Sequence, residues 1–72
     1  MEYTVILDPN EEEAGFTVLV PALPGCITQG RTREEAIERA KEAIAAYIES
    51  LRADGEPVPQ ETQPIEVLKV AV

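Results

Sequence analysis

Hydrophobic and polar positions along the chain divide it into short β-type runs and one long helical stretch. Tyr3–Leu7 (YTVIL) and Phe16–Val20 (FTVLV) are rich in β-branched and aromatic side chains, a composition that predicts strands. Between them Asp8–Gly15 (DPNEEEAG) is predicted as a loop. Pro9 and Asn10 interrupt pairing, Glu11–Glu13 repel one another, and Gly15 lets the chain re-enter. So short a link predicts a hairpin with an acidic, exposed tip. Pro21 ends the second strand because it has no N–H to give a central ladder. Pro24-Gly25 suits a type II turn, with proline fixing φ and glycine taking φ > 0. Cys26–Gln29 then forms a short third strand that Gly30 closes.

The helical stretch has a defined start. Thr32 is an N-cap residue and Glu35 stands three positions on, the spacing of a capping box. Glu34 and Glu35 also lie at the positive end of the helix dipole. Ile37, Ala40, Ile44, Tyr47, Ile48 and Leu51 recur at three- and four-residue steps, with charged residues between them. Gly55 is placed to be the C′ residue. The predicted helix, Arg33–Ala53, is about 30 Å long at ~1.5 Å per residue. Gly55–Pro64 (GEPVPQETQP) reads as a stiff loop, and Ile65–Val72 (IEVLKVAV) as a final strand.

The predicted order is β-β-β-α-β. A right-handed crossover through the helix brings the last strand parallel to the first. That gives an α+β fold: a four-stranded mixed sheet of order 3-2-1-4 with one long helix on one face. The other face is not patterned for water. Ile6 lies opposite Val5 and Leu7, Leu19 lies opposite Val18 and Val20, and Val67 lies opposite Leu68. A one-sided sheet would place polar residues at those positions. Partial cover by loops would answer this; a homo-oligomer, dimer or tetramer, that buries the second face or pairs an edge strand answers it better.

Size sharpens this expectation. A chain of 72 residues is one small domain, of a size that usually needs reinforcement. Cys26 is the sole cysteine, so no internal disulfide forms, and there is no histidine for the usual structural zinc sets. Self-association is the remaining route. The formal net charge is −8, from 14 acidic against 6 basic residues, which disfavours direct nucleic-acid binding and favours a basic partner. No hydrophobic run approaches the ~20 residues that span a bilayer, and the acidic N-terminus lacks the basic start of a secretion signal. The expectation is a soluble cytoplasmic protein with a reduced thiol at Cys26.

Catalysis finds little footing. A nucleophilic cysteine needs a histidine, a nearby cation or a helix N-terminus to lower its pKa. Arg31 and Arg33 are near Cys26 in sequence, but nothing in the pattern aims them at it. The expected role of Cys26 is a small apolar residue packed after a turn. Glu11, Glu12 and Glu13 stand on a tip that is poor ground for a rigid metal site. Glu34, Glu38 and Glu42 form an i,i+4 stripe on an exposed helix face. GCITQG lacks the lysine of a phosphate-binding loop. No catalytic residue, metal or cofactor is expected.

The segment VPALPGCITQGRTREEAIERAKEAI, Val20–Ile44, resembles the signature of HicB-type antitoxin domains. The matching positions are Pro21, Leu23, Pro24, Gly25, Cys26, Thr28, Gly30, Thr32, Glu35 and Ala36; GEPVP, Gly55–Pro59, is similar to the segment that follows the family's helix. The likeness covers nearly the whole chain. It implies a partial ribonuclease-H-like fold and a partner, a small basic HicA-type toxin that cleaves messenger RNA, whose active site the antitoxin covers. Many such antitoxins carry a further C-terminal DNA-binding domain; with residues 1–72 read as a single domain, none is expected here. Ala22 stands where the family often has an acidic residue. Asp8 is the one carboxylate near a place equivalent to the metal site of full ribonuclease-H enzymes, so nuclease activity does not carry over.

Three functions are therefore in view. The first is an antitoxin in which Glu11, Glu12, Glu13, Glu34, Glu38 and Glu42 face a basic toxin. The second is a stand-alone oligomeric domain binding another protein or a small ligand. The third, a metal-dependent nuclease, has the least support. In each, Pro21, Pro24, Gly25, Cys26, Gly30, Thr32 and Glu35 are architecture.

Overall fold

The computed structural model describes the chain from Met1 to Val72. Strands β1 (Ile6–Pro9), β2 (Phe16–Leu19) and β3 (Ile27–Gly30) precede a single helix, α1 (Arg33–Ala53). The strands form an antiparallel sheet in the order β1-β2-β3. The hairpin, the third strand and the helix thus follow the predicted order, and the helix has the predicted bounds.

The first strand starts three residues later and ends two residues later than expected. Its register pairs Ile6 with Leu19, Leu7 with Val18, Asp8 with Thr17 and Pro9 with Phe16. Asp8 and Pro9 were expected in the loop. Proline is accepted because β1 is an edge strand, so its missing N–H costs no ladder bond. The loop shrinks accordingly: the Asn10 N–H donates to the Gly15 carbonyl at 3.0 Å, and the Thr17 hydroxyl lies 3.0 Å from Asn10 Oδ1. Gly15, at φ 121°, makes this closure possible.

Pairing of Leu19 with Ile27 and Val18 with Thr28 completes two kinds of cross-strand row. On the helix side Val18 is fully buried with Ala36 and Ala40, and Val5, Leu7 and Phe16 pack around them. Val20, Leu23 and Cys26 form a second cluster, against Tyr3, Val5, Ala43, Ile44 and Tyr47. The opposite face has no helix. There Ile6, Leu19 and Ile27 form one apolar row, and Asp8, Thr17 and Gln29 a polar one.

The helix approaches the sheet closely at its N-terminal end. A Cβ on Gly30 would lie 2.6 Å from the Ala36 Cα and 2.9 Å from the Glu35 carbonyl carbon. Gly30 is therefore required by contact with backbone. Ala36 and Ala40 extend the close approach with the smallest helix-forming side chain. The far end of α1 is closed by a Schellman motif: Gly55, at φ 71°, donates to the Arg52 carbonyl at 3.1 Å, and the Glu56 N–H reaches the Leu51 carbonyl at 2.9 Å.

The four-stranded mixed sheet of order 3-2-1-4 is not formed. Ile65–Val72 has no strand pairing, and the sheet has three strands. Ile65–Val72 is apolar on both faces, so pairing within one chain would bury one face under α1 and leave the other in water. The Thr4 N–H, just ahead of β1, donates to the Glu61 carboxylate at 2.7 Å. After the helix the chain returns along the N-terminal residues, with the Tyr3 hydroxyl donating to the Pro59 carbonyl and the Thr4 hydroxyl to Glu61 Oε2. Beyond the half-buried Ile65 every residue is exposed.

Replacing Gly30 with alanine should lower stability by about 1–3 kcal/mol, the usual cost of overpacking. Urea unfolding read by circular dichroism measures it. An unchanged midpoint would mean that strand and helix are free to separate at this point.

Candidate functional site

The sequence singled out the stretch from Pro21 to Glu35, and the structure makes it a brace. Two β-turns follow one another. The Leu23 N–H donates to the Val20 carbonyl at 3.0 Å, and the Cys26 N–H to the Leu23 carbonyl at 2.9 Å. Gly25, at φ 80°, is the third residue of the second turn, as a type II turn requires. The turns push Leu23 inward until it is fully buried. The Tyr47 hydroxyl on α1 donates to the Pro24 carbonyl at 2.7 Å, tying turn to helix. Cys26 packs with Val20 and Leu23, and burial pushes its thiol above the ordinary range. That disfavours the thiolate a nucleophile needs.

Thr32 caps α1 as expected: its side chain accepts from the Glu35 N–H at 3.0 Å. The reciprocal arm is displaced by one residue. The Glu35 carboxylate reaches the Arg31 N–H at 3.4 Å, so the box also fastens the end of β3.

The acidic residues fall into two groups. Glu11–Glu13 are exposed at the hairpin tip, where with Asn10, Thr17 and Gln29 they line a polar depression of about 440 Å³. Glu34, Glu38 and Glu42 are exposed on α1. Glu38 pairs with Lys41 at 3.2 Å and Glu42 with Arg39 at 3.7 Å. Both pairs are solvated and contribute only ~0.3–0.5 kcal/mol each. Arg39 links the two groups, since it also lines a second polar groove of about 460 Å³ together with Glu13, Arg31 and Glu35. This groove mixes both signs of charge, and no three His, Cys, Asp or Glu side chains converge to hold a metal ion. Asp8 is half of a polar cross-strand pair with Thr17.

An apolar depression was not anticipated as a unit. On the helix-free face Ile6, Leu19, Pro21, Leu23, Pro24 and Ile27 line a hollow of about 290 Å³. Ile27 is 60% exposed there. The alternation had marked Ile6 and Leu19, but aligning Ile27 with them required the register that the two turns set.

Glu61 is the remaining group with a functional geometry. Two bonds from Thr4 hold its carboxyl below the ordinary carboxylate range, the side-chain bond contributing most. A depressed folded pKa means that the tether is complete above the unfolded value, about 4.3, and is lost as pH falls through the folded value.

Fold and surface together define a small α+β domain whose accessible features are carboxylates and one apolar hollow, with its single thiol packed away. A family model described as the HicB-like antitoxin of bacterial toxin–antitoxin systems matches residues 3–71. A UPF0150 protein of Thermoplasma acidophilum is 52% identical over 61 residues, covering 85% of this chain and 87% of that protein. A UPF0150 protein of Synechocystis is 46% identical over 70 residues, covering 97% and 87% respectively. A protein named antitoxin HicB 1, from Photorhabdus laumondii, is 44% identical over 59 residues, which are 82% of this chain and 37% of that protein. The chain belongs to the HicB-like antitoxin family. No helix is long and apolar enough to cross a membrane.

Two outcomes follow from this geometry. Tyr47→Phe should cost about 1 kcal/mol, the value of one hydrogen bond, in thermal unfolding. The protection of the Thr4 amide, the slowing of its exchange relative to an unstructured chain at the same pH, should fall as pH is lowered through the carboxylate range, and Glu61→Ala should show little protection at any pH. Equal Thr4 exchange in both proteins at neutral pH would show that the tether does not persist in solution.

Proposed function

We propose that this chain is an antitoxin that binds a small basic HicA-type toxin and blocks messenger-RNA cleavage by covering its active site. Membership of the HicB-like family carries the reading. The net charge of −8 supports it, because a toxin that grips RNA presents basic residues to which an acidic surface is complementary. In this reading residues 1–72 act as one cytoplasmic domain without catalytic activity of its own. Glu11, Glu12 and Glu13 on the tip and Glu34, Glu38 and Glu42 on α1 meet the toxin, with Arg39 between them. The chain also self-associates, because the apolar row on the helix-free face is uncovered in a single copy.

Co-expression with a small basic toxin encoded beside it should yield a complex that survives purification and restores growth. No complex and no rescue would reject the assignment. Replacing Glu11, Glu12 and Glu13 with lysine should slow association about tenfold at low ionic strength, with the difference shrinking as salt rises. Stopped-flow binding at two salt concentrations measures this. An unchanged rate would move the acidic contact away from the tip.

A further inference from the structure

The last eight residues, Ile65–Val72, are the least accounted-for part of the molecule. Val67, Leu68 and Val70 are 69%, 70% and 76% exposed, so side chains pointing to both sides of the segment meet solvent. Its composition is that of a strand, and its side chains include one acid, Glu66, and one base, Lys69. In a chain of net charge −8 this is an electrically balanced stretch. The molecule as a whole is extended. The radius of gyration is 13.5 Å, against about 11 Å for a compact chain of this length, and the long axis is 39 Å.

We infer that Ile65–Val72 is an arm that docks on a second copy of this chain, seated on the helix-free face along Ile6, Leu19 and Ile27. The inference rests on the self-association reading above and names the element that performs it. Three observations lead to a second copy. A strand apolar on both faces needs cover on both, and one copy has one helix, already committed to the other side of the sheet. The seat is free of charged residues: the hollow is lined by Ile6, Leu19, Pro21, Leu23, Pro24 and Ile27, with no carboxylate to meet a like-charged partner. Arm and seat thus allow two strongly acidic molecules to touch without juxtaposing like charges. Finally, the reach suffices, since eight extended residues span about 26 Å, more than the ~10 Å across three strands. Exchange of arms is reciprocal under two-fold symmetry, so each copy both gives and receives. The outer edge of β1 has no partner strand, and pairing of a partner's arm there would add backbone bonds to the apolar contact.

The test uses the full chain alone, with no toxin present. Light scattering coupled to size exclusion should give at least twice the 7.9 kDa chain mass for the native protein. Val70→Asp on the arm and Ile27→Asp on the seat should each reduce the mass to a single chain. Both positions are exposed, so the helix signal in circular dichroism should be unchanged. In a Cys26→Ala background, a chain carrying Ile27→Cys mixed with one carrying Val70→Cys should be joined by a short bis-maleimide, a product that has to bridge two molecules. A native oligomer whose mass neither substitution alters, and which gives no bridged product, would overturn the arm and leave self-association standing. Loss of association in Val70→Asp but not in Ile27→Asp would overturn the seat. A native protein that is a single chain at about 100 μM would overturn both.

Discussion

The contact between Gly30 and Ala36 determines how the rest of the domain is assembled. There the end of a strand meets the first turn of the helix with no room for a side-chain atom. Everything that surrounds this point keeps the two backbones together. Gly15 approaches from the hairpin, where a Cβ would lie 2.5 Å from the Gly30 carbonyl oxygen. Thr32 caps the helix immediately after the strand, and the Glu35 carboxylate reaches back to Arg31. With so small a core, Val18 between Ala36 and Ala40, proximity substitutes for volume. Dispersion attraction is strongest between atoms at contact distance, and small side chains let the backbones themselves provide it.

The same geometry separates the acidic surface from the apolar one. The helix occupies one side of the sheet, so its acidic stripe faces away from the strands. The hairpin tip projects beyond the sheet and carries its three carboxylates past the end of the core. The helix-free face retains an apolar row bordered by polar residues toward the tip. A charged partner and an apolar partner can therefore engage different parts of the same small molecule. In the proposed function, such separation would let self-association and toxin binding occur at once.

Much of this was legible in the sequence, for identifiable reasons. Thr32, Glu35 and Gly55 are local signals, fixed by hydrogen bonds between near neighbours, and they located the helix. Pro24-Gly25 located its turn in the same way. What failed was non-local. The start of β1 depends on its register with Phe16–Leu19, and the propensities of Tyr3–Leu7 do not contain that register. The fourth strand failed because propensity describes what Ile65–Val72 is suited to form, while pairing depends on cover for both of its faces. Ala36 escaped notice as core because one methyl group leaves a faint hydrophobic signal, yet its position against Gly30 makes it fully buried. The acidic candidates were readable as exposed residues, but their link through Arg39 depends on how the tip leans toward the helix. The Thr4–Glu61 tether joins residues 57 positions apart and has no local signature.

That tether has a consequence for how the chain comes to its structure. Each of the three strands and the helix packs against an element beside it in sequence, so little loop entropy opposes their assembly. Both buried clusters are formed by residues between Tyr3 and Tyr47. The Thr4–Glu61 bond, by contrast, closes a loop of 57 positions and is opposed by a larger loop entropy. It holds the chain four positions ahead of Ile65, so the anchorage of the apolar segment carries that larger entropy.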